Sequence, residues 1–181
     1  MADTFVRFLC FPRTEPPPDF IPYIAEVFQK HEGIIGTLTL EEGMTSNEVL
    51  AELRDDLIAF GFQVEAGKQK HDKIERPVFF GENGLPELKY EIDAYHPEWG
   101  CGLEVEAGRA WMGNAIYRDL IQGLVMVQVD VLVLAVPNAY KYHSSGRTTI
   151  SNDYDNTVNV AQTLYSHTRF KFPYRLVVIG Y

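Results

Sequence analysis

The sequence predicts an α/β fold, a single domain in which a central mixed sheet is flanked by helices. Segments with helical apolar spacing alternate with short segments of strand character. One of these, Val129 to Val136, is almost wholly apolar, as befits a strand covered on both faces. The chain has 181 residues, 46% hydrophobic and 23% charged, which is enough to bury one core without disulfides or a structural metal. Elements in this order pack most simply as layers around one sheet.

Thr4 to Phe11 reads as a strand, and the prolines of Arg13-Thr14-Glu15-Pro16-Pro17-Pro18 impose an extended connection after it. Asp19 is expected to cap a first helix. Its Phe20, Ile24, Val27, Phe28 and His31 recur at helical spacing, with Pro22 in the tolerant first turn and Gly33 past the end. Ile34 to Leu40 is expected as a strand. Thr45-Ser46-Asn47-Glu48 matches a capping box, in which hydroxyl and carboxylate each satisfy a free backbone N–H of the other's residue. It opens a helix with the apolar stripe Val49, Leu50, Leu53, Leu57 and Phe60, stopped by Gly61.

Phe62 to Glu65 is short and strand-like, and Lys68 to Lys73 reads as a solvated, mostly basic loop. Strands are expected around Val78-Phe79-Phe80 and from Leu88 to Tyr95, separated by the turn Gly81-Glu82-Asn83-Gly84, and again from Gly102 to Glu106. Met112 to Val125 returns to helical spacing, with Ile116, Leu120 and Leu124 on one stripe and Asn114, Arg118 and Gln122 on another. Beyond the apolar strand, Pro137 to Thr149 is expected as a polar, basic loop. Asp153 would cap a last helix through Val158, Ala161, Leu164 and Tyr165, and Arg175 to Tyr181 forms the final strand. Residues 1–44 are expected as an N-terminal addition packed on a core at 45–181.

The formal charge of -9 opposes general polyanion binding, which needs many Lys and Arg against phosphates. Acids gathered around a cation are compensated locally, so a nucleic-acid role survives this argument. No apolar run approaches the roughly 18 residues of a membrane span, and the first residues lack a secretory pattern, so a cytoplasmic protein without a membrane partner is expected. Cys10 and Cys101 are far apart and in no metal-ligand spacing, which suits reduced, structural thiols.

Period two places Glu104 and Glu106 on one strand face and Leu103 and Val105 on the other. A turn returning this strand beside Asp93 would gather three carboxylates, hard oxygen donors suited to Mg2+ or Mn2+. Acid, spacer and acid also occur on solvated strand faces, so the order of the surrounding elements carries the argument. In that order the chain from Thr45 to Tyr181 resembles the PD-(D/E)XK nuclease superfamily: a helix, a meander bearing the acids, a helix and a buried strand. The resemblance implies a restriction-endonuclease-like three-layer sandwich, with Asp93 and Glu104 holding the metal. Glu106 would serve the attacking water. It stands where the family most often has Lys, as in some restriction enzymes, and Ile92 stands where the family has Pro.

The resemblance further implies a Mg2+-dependent endodeoxyribonuclease with DNA as partner. Restriction enzymes often act as homodimers, although no interface signature is visible in this chain. Glu52 on the second helix is a candidate accessory acid. Arg118 and Gln122 are candidates for phosphate contact, since a guanidinium fork matches phosphate. Arg109 at the strand-to-helix junction and Lys141 and Arg147 in the later loop join them, each with a salt bridge or solvated surface as the plain structural role. Two other readings stay open: a noncatalytic member of the same fold binding nucleic acid or protein, and an unrelated α/β interaction domain with an acidic surface hairpin.

Overall fold

The computed structural model describes residues 4–39, 43–108, 114–144 and 146–181. In chain order the elements are β1 (Arg7–Phe11), α1 (Ile21–Ile35), α2 (Ser46–Ala59), β2 (Gln63–Val64), β3 (Ile74–Phe80), β4 (Pro86–Ile92), β5 (Ala94–His96), β6 (Cys101–Val105), α3 (Ala115–Val125), β7 (Val131–Val136), β8 (Tyr140–Ser144), β9 (Arg147–Ser151), α4 (Asp153–Ser166) and β10 (Arg175–Gly180). Six strands form one mixed sheet in the order β1, β10, β7, β6, β5, β2, while β3–β4 and β8–β9 are separate two-stranded ribbons. β7 runs parallel to β6 and β10, with Leu134 opposite Glu104 on one side and Val178 on the other. The two edges are antiparallel: β1 on β10, and β5 and β2 beyond β6. Parallel neighbours need long crossovers, and α3 and α4 lie within those two connections.

Alternation along the strands builds a core on each side of the sheet. Val131, Val133 and Ala135 join Leu103, Val105, Val177 and Ile179 under α1 and α2, packed against Ile24, Phe28, Leu53 and Leu57. Leu132, Leu134 and Val136 face the other way, with Leu176 and Val178, toward Ile116 and Leu120 of α3 and Ala161 of α4. The result is a three-layer sandwich around a mixed sheet, as the sequence predicts. The N-terminal segment supplies β1 to this sheet and α1 to the first core. Among the described residues, no helix is long and apolar enough to cross a membrane.

The capping box forms as expected: the Glu48 N–H donates to Thr45 Oγ1 at 3.4 Å and the Thr45 N–H to Glu48 Oε2 at 2.8 Å. Other expectations need correction. α1 begins at Ile21 without a side-chain cap, because Phe20 turns in to stack on Trp99 at 4.6 Å while Asp19 stays exposed. The strand expected at Ile34 to Leu40 is absent from the described part of that segment. Ile35 instead completes the buried side of α1, Gly33 sits inside the helix, and Gly36 ends it by donating its N–H to the Glu32 carbonyl. Leu40 lies outside the described residues. The loop expected at Pro137 to Thr149 contains the β8–β9 hairpin, turned at Gly146 with φ +76. α4 starts at Asp153 itself, after Asn152.

Candidate functional site

The strand expected from Leu88 to Tyr95 divides at Asp93, where the chain leaves the β3–β4 ribbon and enters the main sheet as β5. The bend is held at both ends of the residue. Asp93 O accepts from the Glu65 N–H at 2.8 Å, and Asp93 Oδ2 accepts from the Val105 N–H at 2.8 Å. β5 pairs with β6 through Ala94 and Leu103, so Asp93 and Glu104 are the next residues along that ladder. Glu104 is 8% exposed and faces the α3 side, opposite its buried neighbours Leu103 and Val105. Gly102 precedes it on that face, and a Cβ there would lie 2.4 Å from Ile92 Cδ1, so the floor closes tightly beneath the carboxylates.

Glu106 follows β6, its N–H donating to the Ala135 carbonyl at 2.8 Å. α3 then crosses above. Arg118 Nη2 donates to Glu106 Oε1 at 3.1 Å, and Arg118 Nε donates to Oδ1 of its neighbour Asp119 at 2.9 Å. Asp119 is only 2% exposed, and its carboxyl also lies in hydrogen-bonding contact with that of Glu106. Arg118 and Asp119 border a cleft of about 450 Å³ lined also by Asp93, Glu104 and Gln122, together with Glu65, Lys73 and Lys89. Lys73 reaches Glu65 at 2.7 Å and Glu91 at 3.4 Å.

Four carboxylates thus share one poorly solvated place. Loss of hydration pushes Asp93 up to about 6, against the lowering effect of the Val105 N–H, and the charge of Glu65 adds to the rise. Burial, then the charge of Asp93, lifts Glu104 well above the usual range. Burial, then the charge of Asp119, pushes Glu106 up to about 8. Burial likewise raises Asp119, with Arg118 pulling it back. The cluster holds more negative charge than its bordering guanidinium and ammonium groups comfortably neutralise. Chemically it can accept protons or a cation.

Among the described residues, no three acidic, histidine or cysteine side chains already stand as a ligand set for a metal ion. The donor chemistry nevertheless fits a small hard cation. The oxygens are carboxylate oxygens, and those of Asp93 and Glu104 line an open cleft.

The structure therefore brings Asp93, Glu104, Glu106, Arg118 and Gln122 to one place. It sets Glu52 elsewhere: Glu52 Oε1 bonds His31 Nδ1 at 2.8 Å across the α1–α2 contact, because that side of α2 faces α1 and not the cleft. Arg109 lies outside the described residues. Lys141 and Arg147 sit on the β8–β9 hairpin and do not line the cleft. The base of that hairpin is nevertheless close, since a Cβ at Gly108 would come within 3.3 Å of the Tyr140 ring.

Sequence reasoning missed Asp119, Glu65 and Lys73. The signal for Asp119 was an acid on the apolar stripe, three residues after Ile116 and beside Leu120. Nothing local marked Lys73, whose loop contains a short turn at Lys70–Asp72 that folds it back onto Glu65.

No protein-family model matches the chain, and no curated protein matches it in sequence. Among solved structures it is similar to the restriction endonuclease BglII complexed with a DNA 16-mer, at a TM-score of 0.53 and 11% identity, over 98% of this chain and 76% of that one. With its central mixed sheet between two pairs of helices, the chain has a restriction-endonuclease-like fold.

Proposed function

We propose that this chain hydrolyses DNA phosphodiester bonds with a divalent cation, Mg2+ or Mn2+, held by Asp93 and Glu104. The observation that carries the reading is the meeting of the buried Glu104 of β6 and the half-buried Asp93, at the bend before β5, on the lining of an open cleft in this fold. A bound cation supplies an acidified water and neutralises charge on the phosphate undergoing attack. Glu106 deprotonates or orients the attacking water, a role that requires its ionised form, which a cation beside it would favour. Arg118, mostly exposed and anchored by Glu106 and Asp119, presents its remaining N–H groups to a phosphate, with Gln122 one turn along the same wall. Lys141 and Arg147 on the neighbouring hairpin meet the DNA backbone further along, and Arg109 belongs to the same group by its place in the sequence. The BglII structure is a complex with a DNA 16-mer, which supports DNA as the first substrate to try.

Asp93→Asn or Glu104→Gln should abolish both Mn2+ binding by calorimetry and Mg2+-dependent cleavage of a DNA panel, with the circular dichroism spectrum unchanged. Glu106→Gln should lower turnover by about a hundredfold if Glu106 is the base and by much less if it only positions water. Wild-type protein that binds Mn2+ and DNA yet cuts nothing would place it as a noncatalytic DNA-binding member of the fold. Cleavage that survives both Asp93→Asn and Glu104→Gln would sink the assignment.

A further inference from the structure

We infer that the outer face shared by α3 and α4 pairs two copies of this chain across a two-fold axis. This pairing does not depend on the reaction at the cleft. Tyr117, Ile121 and Val125 recur every four residues along α3, so they share one side of that helix, and they are 42%, 62% and 43% exposed. Beside them α4 offers the partly exposed Val160 and Leu164. Between the helices lies a hollow of about 340 Å³ lined by residues of both, among them Tyr117, Asn159 and Leu164. A knob thus stands next to a hole: Ile121, the most exposed of the three, lies one turn along α3 from the hollow's Tyr117.

Charge and area point to a second copy as the occupant. In a chain with 23% charged residues and a net charge of -9, α4 has no charged residue from Asn156 to Ser166. The only charges of α3, Arg118 and Asp119, pair with each other at 2.9 Å and border the cleft. The face therefore offers neither cations for a phosphate backbone or anionic lipid surface nor acids for a basic partner. What it matches is another apolar, neutral surface. Two acidic copies repel where their charged surfaces meet, and this face lets them meet without charge. A two-fold axis lets each Ile121 enter the other copy's hollow, so one patch satisfies itself and growth stops at two. The five apolar side chains expose roughly 350 Å², which as the apolar centre of an interface with a polar rim corresponds to roughly 600 Å² per copy. The total, about 1,200 Å², meets the lower limit of a stable interface, so the dimer should form at micromolar concentration.

The test is sedimentation velocity of the whole chain in EDTA, from about 1 to about 200 μM, where the mass should rise from the monomer value toward twice that value. Ile121→Glu puts a charge into each hollow and should weaken self-association by about thirtyfold or more, with the circular dichroism spectrum unchanged. Adding Asn159→Lys to the same chain should restore much of it, since a two-fold axis sets the new acid of each copy against the new base of the other. Failure of that rescue removes the two-fold arrangement. Ile58→Glu, at an exposed apolar position of α2 on the opposite layer, should change nothing. A wild type that stays monomeric at about 200 μM overturns the proposal, and so does growth past the dimer, which marks a head-to-tail contact. Self-association that Ile121→Glu leaves intact, or that Ile58→Glu abolishes, places the contact elsewhere and overturns it too. If Ile121→Glu does not fold, Ile121→Gln decides: a folded monomer supports the face, and wild-type association refutes it. No metal or DNA enters the measurement, so failure of the pairing is separate from failure of the cation site.

Discussion

Loss of hydration does more than any single neighbour to set the charge state of Asp93, Glu104, Glu106 and Asp119. Each is raised, so in the metal-free protein the proton favours the folded state. The stability so contributed is full below the ordinary carboxylate range and is lost as pH climbs through about 6 for Asp93 and about 8 for Glu106. Metal-free protein should therefore melt roughly 5 °C lower at about pH 8.5 than at about pH 5. Saturating Mg2+ should offset most of that loss at the upper pH, where the carboxylates are free to ligate. A melting temperature that rises with pH in EDTA contradicts this account. At this scale the sequence revealed the strand acids, because period two alone puts Glu104 and Glu106 on one face. It concealed Asp119, whose burial depends on α3 crossing the sheet at one particular place, a fact of packing that no local pattern encodes.

Elements whose signals are local were legible; those decided by tertiary contact were not. The box around Thr45 needs only residues within one helical turn, and it forms. Thr45→Ala should cost about 1 kcal/mol, read as a lowered denaturant midpoint with unchanged slope. Ile34 to Leu40 carried a β-like composition, yet Ile35 is 1% exposed as the last core residue of α1, and burial outweighed propensity. The β8–β9 hairpin shows the opposite error. Its polar and basic residues suggested a loop, but Tyr140, Tyr142, Thr148 and Ile150 alternate at period two around a glycine turn, a hairpin pattern hidden by hydrophilic company. At Asp93 the break between two sheets fell inside one apparently continuous strand, and only the hydrogen bonds from Glu65 and Val105 account for it.

Across the whole molecule the charge of -9 is unevenly spread: from Val131 to Asn152 there is no Asp or Glu, while Lys141 and Arg147 lie within that stretch. DNA approaching an acidic protein should prefer this hairpin. The pair Lys141→Glu and Arg147→Glu should weaken DNA binding by about tenfold and flatten its dependence on salt, while leaving Mn2+ affinity unchanged. Equal binding at every salt concentration removes the hairpin from the interface. The order of layers was legible because the crossovers around the apolar strand left few arrangements; the antiparallel edges were not, since pairing between distant segments leaves no mark in either one. One such edge governs how the chain acquires its shape. β1 has β10 as its neighbour in the sheet, with Arg7 opposite Gly180, so β1 pairs with a strand that lies far along the chain from it. Its row of N–H and C=O groups finds this partner only once β10 has docked on β7. Refolding must close that same long loop, so the entropy of bringing the two strands together is met before their pairing returns any stability.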